Sequence, residues 1–281
     1  MKQLSMSEQL LYSTIQIVCY SNNRTIKSTG TGFIYGFCRQ ENGCYPALVT
    51  NKHVVKDADE CELTFHIKDS EGNPSNEKVT FCVKDSFKEQ CIYHPEENVD
   101  LAIYNLSNAF YQCKNIGKEV FYSFLDKGLI PSKEDLEKFS AIEDIIMIGY
   151  PNGLIDKKNN LPIVRKGITA TPFFINYNGN QQFLADIACY PGSSGSPVLI
   201  LQEGISKDKF GNMAIGKSAI KLLGINSSVY LNTITGDLIS QETTSIKPLV
   251  QVPNNLAIII KAEKLHDFEK IIENIVSKQK N

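Results

Sequence analysis

The sequence has no apolar run long enough to cross a membrane. Its longest purely apolar runs hold only a few residues, such as residues 256–260, whereas a membrane-spanning helix needs about 20. The N-terminus also lacks the apolar segment of a signal peptide, because Lys2 is followed by Glu8 and mixed polar positions. We therefore expect no membrane partner and a cytoplasmic location.

The chain has almost no excess charge of either sign. Lys and Arg together number 29 and Asp and Glu 31, which gives a formal net charge of -2. Such a chain has no basic footprint, so nucleic acid is not expected as a partner. With 281 residues, of which 42% are hydrophobic, the chain can bury a sizeable core as one large or two modest units.

The sequence also lacks a recognisable zinc motif. It has only four histidines, and its eight cysteines form no Cys-x-x-Cys pair. Free, buried thiols in a reducing cytosol are the favoured interpretation over disulfides or zinc. We expect no metal and no cofactor.

Short strand-like segments separated by turn signals fill most of the chain, a pattern typical of mostly β proteins with antiparallel barrels. Strands are predicted in the first half over residues 14–20, 32–37, 45–50, 61–67, 78–83 and 99–104. Strands in the second half are predicted over residues 145–150, 163–171, 182–188, 196–201, 219–227 and 256–261. The Asn42-Gly43 pair suits a hairpin turn between the second and third strands.

Helices are predicted mainly at the two ends. Ser7 is a candidate cap for a short helix that reaches Tyr12. Near the C-terminus, apolar residues recur at helical spacing and predict a helix packed on the second barrel: Leu265, Phe268, Ile271, Ile272 and Ile275. We divide the chain into an N-terminal half (1–115), a connection with a short helix (116–143) and a C-terminal half (144–281).

Ser194 is a candidate nucleophile. It lies between two glycines in Gly192-Ser193-Ser194-Gly195-Ser196-Pro197, where a tight turn sets backbone N–H groups beside its hydroxyl. Such a cluster alone is most often a simple turn. Here His53 ends one apolar run upstream and Asp100 opens another, in the order His, Asp, Ser.

In this order and spacing the chain resembles the chymotrypsin-like (trypsin-like) serine proteases. It is most similar to the bacterial HtrA/Deg-type and glutamyl-endopeptidase-type protease domains, which carry stretches like Thr50-Asn51-Lys52-His53-Val54-Val55. Further matches follow in the expected order at residues 30–34, 148–153 and 223–226. The resemblance implies two six-stranded antiparallel β-barrels with a C-terminal helix. It also implies a bacterial serine endopeptidase. HtrA-type enzymes usually carry a PDZ-like module, and we find no segment that resembles one in this sequence.

The roles follow from acid–base chemistry. His53 would take the serine proton and return it to the leaving amine, while Asp100 would accept the other imidazole N–H. Ser194 would then form an acyl-enzyme. The backbone N–H groups of Gly192 and Ser194 are the predicted oxyanion hole, and water would complete the reaction.

The specificity pocket departs from the best-known members of the family. Ala188 stands where trypsin-like enzymes have an acidic residue, and Asn226 stands where glutamyl endopeptidases have a His. Ala188, Asn226 and Leu256 are the predicted pocket walls, and they favour an uncharged side chain before the cleaved bond. Gly30-Thr31-Gly32 is interpreted as close strand packing and not as a nucleotide fingerprint.

Two functions stay open at this stage. The first is an endopeptidase whose partner is an extended polypeptide, paired with a strand edge near residues 223–227. The alternative is a catalytically silent protease-like binding module, or one switched on by an activating protein partner. Fold alone cannot separate the two, because function resides in the site.

Overall fold

A computed structural model describes residues 4–41, 43–84, 86–235 and 249–279. The predicted turn residue Asn42 lies outside these ranges. In the described part no helix has both the length and the apolar character needed to span a membrane.

The chain begins with helix α1 (Met6–Leu11). Its cap is Ser5 and not the predicted Ser7, because Ser5 and Glu8 form a reciprocal capping box. The Ser5 Oγ accepts the Glu8 N–H, and the Glu8 carboxylate accepts the Ser5 N–H. A Ser-x-x-Glu pattern satisfies two free N–H groups at once, which explains why the helix begins there.

The N-terminal half forms one antiparallel eight-stranded sheet. Its strands are β1 (Thr14–Tyr20), β2 (Ile26–Gln40), β3 (Gly43–Thr50), β4 (Glu60–Lys68), β5 (Pro74–Val83), β6 (Ile92–Tyr93), β7 (Ala102–Asn105) and β8 (Val120–Phe121). They are paired in the order β5-β4-β1-β2-β3-β7-β6, with β8 attached to β4. Three helices lie between them: α2 (Lys52–Val55), α3 (Phe87–Gln90) and α4 (Ser107–Asn115).

Two details of this half differ from the prediction. Among the described residues no pairing joins β5 to β6, so the sheet path is open and a second six-stranded barrel is not confirmed. The strand predicted from residue 99 begins only at Ala102. Residues before it form a turn, in which the Val99 N–H donates to the Glu96 carbonyl. Asp100 therefore lies just ahead of the strand.

The C-terminal half contains a closed six-stranded barrel, as predicted. After helix α5 (Lys133–Leu136), its strands are β9 (Asp144–Gly149), β10 (Ile163–Thr169), β11 (Gln182–Asp186), β12 (Pro197–Gln202), β15 (Ala219–Thr235) and β16 (Leu249–Lys261). The barrel order is β10-β11-β16-β15-β12-β9. A hairpin that the sequence did not predict, β13 (Ile205–Lys207) with β14 (Met213–Ile215), lies between β12 and β15.

The last described element is helix α6 (Leu265–Gln279), which buries the apolar face expected from its spacing. The helix packs on more than the second barrel. Its Phe268 ring lies 6.2 Å from that of Phe37 in β2 and 5.3 Å from that of His94. One core cluster therefore joins α6 to strands of both halves, and it fixes the position of the loop that carries Asp100.

Candidate active site

His53 and Asp100 contact each other through two hydrogen bonds. The backbone N–H of His53 donates to Asp100 Oδ1 at 2.9 Å, and the ring Nδ1 lies 2.6 Å from Oδ2. Asn51, which precedes α2, donates from its amide to the Asp100 carbonyl at 2.8 Å. The one-turn helix α2 after the buried strand β3 thus fixes both residues of the pair.

Ser227 is a further partner of Asp100. Its hydroxyl donates to Asp100 Oδ2 at 2.9 Å. Burial acts to raise the pKa of Asp100, but the hydrogen bonds and charge of His53 and the Ser227 hydroxyl outweigh burial and hold the pKa below its ordinary value. Asp100 is therefore a carboxylate near neutral pH, able to orient the imidazole.

The Ser194 loop requires glycine on both sides. Gly192 has φ +89° and Gly195 has φ +87°, a region that L side chains rarely adopt. A Cβ at Gly192 would lie 2.6 Å from the Tyr150 carbonyl oxygen, and one at Gly195 would lie 2.0 Å from the Thr31 carbonyl oxygen. Only glycine allows the backbone to approach this closely.

Ser194 lies next to the same Ser227. Its Oγ donates to the Ser227 carbonyl at 3.3 Å, while the Ser227 hydroxyl bonds Asp100. No hydrogen bond joins Ser194 to His53 among the described residues. The sequence analysis placed Ser227 only in the strand edge 223–227 and missed its contacts with Asp100 and Ser194.

The two N–H groups predicted to form the oxyanion hole have no acceptor among the described residues. Within the described ranges, the N–H groups of Gly192 and Ser194 make no hydrogen bond to the protein. The N–H groups of the residues that follow each of them, Ser193 and Gly195, do. The Ser193 N–H donates to the Tyr190 carbonyl at 2.9 Å, and the Gly195 N–H donates to the Asn226 carbonyl at 2.8 Å. Two neighbouring free donors are what an oxyanion needs.

Thr31 holds the Ser194 loop against strand β2. Its N–H donates to the Ser194 carbonyl at 2.8 Å, and its Oγ1 donates to the Gly192 carbonyl at 2.9 Å and accepts the Tyr150 N–H at 3.0 Å. The sequence interpretation of Gly30-Thr31-Gly32 as close packing did not identify this role. The glycines flanking Thr31 were the available signal.

Ala188 belongs to the segment that leads to Ser194, and the other two predicted pocket residues lie beside this segment. Leu256 is paired with Asp186 in the β11–β16 ladder, two residues before Ala188. Asn226 is fully buried, and its amide donates to the Ser193 carbonyl at 2.9 Å and to Cys189 Sγ at 3.3 Å. Asn226 thus supports the loop, and the pocket assignment stays a prediction.

One group of residues in the described part has the composition of a metal site. Cys38, Glu269 and Glu273 offer ligand atoms within 4.8 Å of one another. They lie at the end of β2 and on α6, and none of them belongs to the candidate active site.

A family model described as a trypsin-like peptidase domain matches residues 30–204, more than half of the chain. The chain belongs to this family. The matched span contains His53, Asp100 and Ser194 but ends before Ser227. A search of curated proteins gave no match.

Solved structures of a protease from Mycobacterium tuberculosis, Rv3671c, are also similar to this member of the trypsin-like family. The active form is 13% identical with a TM-score of 0.42, and the alignment covers 91% of this chain and 78% of that one. An inactive form is 13% identical with a TM-score of 0.40, covering 90% and 85%.

Proposed function

We propose that the protein is a serine endopeptidase that hydrolyses polypeptides through His53, Asp100 and Ser194. The observation that carries this proposal is the 2.6 Å contact between His53 Nδ1 and Asp100 Oδ2, in a chain of the trypsin-like peptidase family. A carboxylate on Nδ1 leaves Nε2 as the free base on the imidazole. The His53 side chain is 44% exposed, so a substrate can reach it.

The proposed reaction begins when the Ser194 hydroxyl turns from the Ser227 carbonyl toward His53. His53 Nε2 takes the serine proton, and Oγ forms a bond to the substrate carbonyl carbon. The N–H groups of Gly192 and Ser194 hold the resulting oxyanion. His53 then gives the proton to the amine as the C–N bond breaks, and water hydrolyses the acyl-enzyme.

We further propose that the substrate is an extended polypeptide lying between the halves 1–115 and 144–281, joined by the connection 116–143. Backbone pairing beside residues 223–227 would supply affinity, and Ala188, Asn226 and Leu256 would line the pocket. The bacterial cytoplasm is the proposed location. All eight cysteines are free thiols, which suits a reducing compartment.

A second candidate is a module that is silent until a protein partner activates it. The supporting observation is the hydroxyl of Ser194, which bonds the Ser227 carbonyl and not His53. A partner would then have to favour the other rotamer of Ser194.

Labelling with a fluorophosphonate probe tests the first proposal. We expect the wild type to be labelled, Ser194→Ala to lose labelling, and His53→Ala to react at least about a hundredfold more slowly, because general-base catalysis contributes that much. Ser228→Ala is the matched control, since this exposed serine lies next to Ser227. Undiminished labelling of Ser194→Ala would contradict the assignment, and an unlabelled wild type would favour the partner-activated module.

A further inference from the structure

Arg165 lies beside the segment that leads to the proposed nucleophile. It belongs to β10, which is paired with β11 through Ile168 opposite Asp186 and Thr169 opposite Ala185. Because the two strands are antiparallel, residues of β10 before Ile168, including Arg165, run toward the residues that follow Asp186. Gly167 keeps the two segments close, because a Cβ there would lie 2.3 Å from the Asp186 carbonyl oxygen.

The Arg165 side chain stacks on the next residue of that segment. Its Cζ lies 5.2 Å from the centroid of the Tyr190 ring. Burial raises the pKa of the neighbouring Cys189 thiol, while hydrogen bonds from Asn226 and Ser193 and the positive charge of Arg165 oppose this effect. Both observations put the guanidinium close to residues 189 and 190, between the predicted pocket residue Ala188 and the Ser194 loop.

Arg165 has no acidic partner in the part of the chain that the structure describes. It makes no ion pair or hydrogen bond there, and its Nε is buried without an acceptor. The adjacent Lys166 differs, because it is exposed and pairs with Asp144 at 2.8 Å. A guanidinium in a partly buried place is costly unless an anion compensates its charge, and none of the described residues supplies that anion.

Other donors near this point are already in use. Asn226 has two amide hydrogens, and these donate to the Ser193 carbonyl and to Cys189 Sγ. The amide therefore has no hydrogen left for a ligand, whereas Arg165 donates to no described residue. A planar guanidinium binds a carboxylate through two parallel hydrogen bonds.

We propose that Arg165 selects substrates with an acidic side chain, Glu or Asp, immediately before the cleaved bond. This inference rests on the proposed function and deepens it. An acidic preference replaces the preference for an uncharged substrate side chain that Ala188, Asn226 and Leu256 suggest. Those three residues alone do not take account of the positive charge of Arg165 on the neighbouring strand β10. The carboxylate of the substrate would occupy the position of the missing counter-ion.

The test compares two peptides that differ only in Glu or Gln before the cleaved bond, which have the same size but differ in charge. For the wild type we expect kcat/KM for the Glu peptide to exceed that for the Gln peptide by about tenfold or more, the worth of a hydrogen bond to a charged group. Arg165→Gln is expected to bring the ratio close to one. Lys166→Gln removes the adjacent positive charge and is expected to leave the ratio unchanged.

Two further readouts keep this inference separate from the proposed function. Fluorophosphonate labelling does not depend on the peptide, so Arg165→Gln should still be labelled. A labelled wild type without a Glu preference, or Arg165→Gln that keeps one, overturns the role of Arg165 but leaves the peptidase proposal standing. If the wild type is not labelled, binding of the uncut peptides to Ser194→Ala decides: tighter binding of the Glu peptide supports Arg165, and equal binding overturns it.

Discussion

At the scale of single residues, the candidate site depends on two residues, Ser227 and Thr31, that each form hydrogen bonds to more than one site residue. Ser227 bonds Asp100 through its hydroxyl and Ser194 through its carbonyl, and Thr31 bonds the loop on both sides of Ser193. These two residues position the proposed catalytic groups without being nucleophile or base. The site is a network, and we expect its members to be coupled energetically.

Asp100 should make the stability of the protein depend on pH in a defined direction. Because its pKa is lowered in the folded state, it stabilises the fold above the unfolded-state pKa of about 3.9 and loses this contribution as pH falls through the folded value. Urea unfolding should therefore show wild type more stable than Asp100→Asn at pH 7, with the difference shrinking in acid. A difference that does not change with pH would contradict this account.

At the scale of elements, α6 packs on strands of both halves of the molecule. It also contacts the loop that precedes Asp100. His94 in that loop bonds Asp267 of α6 at 3.2 Å, and Lys264, directly before α6, donates to Glu96 at 2.6 Å. Amphipathic spacing predicted this helix correctly but assigned it to the second barrel alone. Spacing identifies which face of a helix is buried, whereas the partner of that face depends on how the whole chain packs.

Truncating Phe268 should loosen α6 and the Asp100 loop together. The side chain is fully buried, so Phe268→Ala is expected to lower the free energy of unfolding by about 3–5 kcal/mol and to slow fluorophosphonate labelling of Ser194. Lys270→Ala, at an exposed position of the same helix, is the control and should change stability by less than about 0.5 kcal/mol. Equal stability of the two variants would show that packing of Phe268 does not contribute this much to the free energy of unfolding.

At the scale of the whole molecule, the fold is held without covalent cross-links. All eight cysteines are free, and five of them are buried. Three hydrophobic core clusters stabilise the fold instead. One lies in the N-terminal sheet, one in the barrel, and the third is shared with α6. A protein of this size can bury enough apolar surface to fold without disulfides.

A thiol count checks this expectation. Titration of the denatured protein with a thiol reagent should give eight thiols, with or without prior reduction, and a reductant should not change the melting temperature. In the native protein the exposed Cys82 should react first, because Cys38 and Cys44 are partly buried and the other five thiols are buried. Fewer than eight thiols before reduction would reveal a disulfide.

The amino-acid sequence by itself determined the mostly β class, the six strands of the closed barrel, the terminal helix and the glycine-flanked Ser194. Periodicity, turn residues and glycine requirements are local, so a short window of sequence encodes them. Only the tertiary structure decided the open path of the first sheet and the contacts of Thr31, Ser227 and Arg165. These depend on contacts between residues far apart in the chain, such as Thr31 with Gly192, and packing alone brings such residues together.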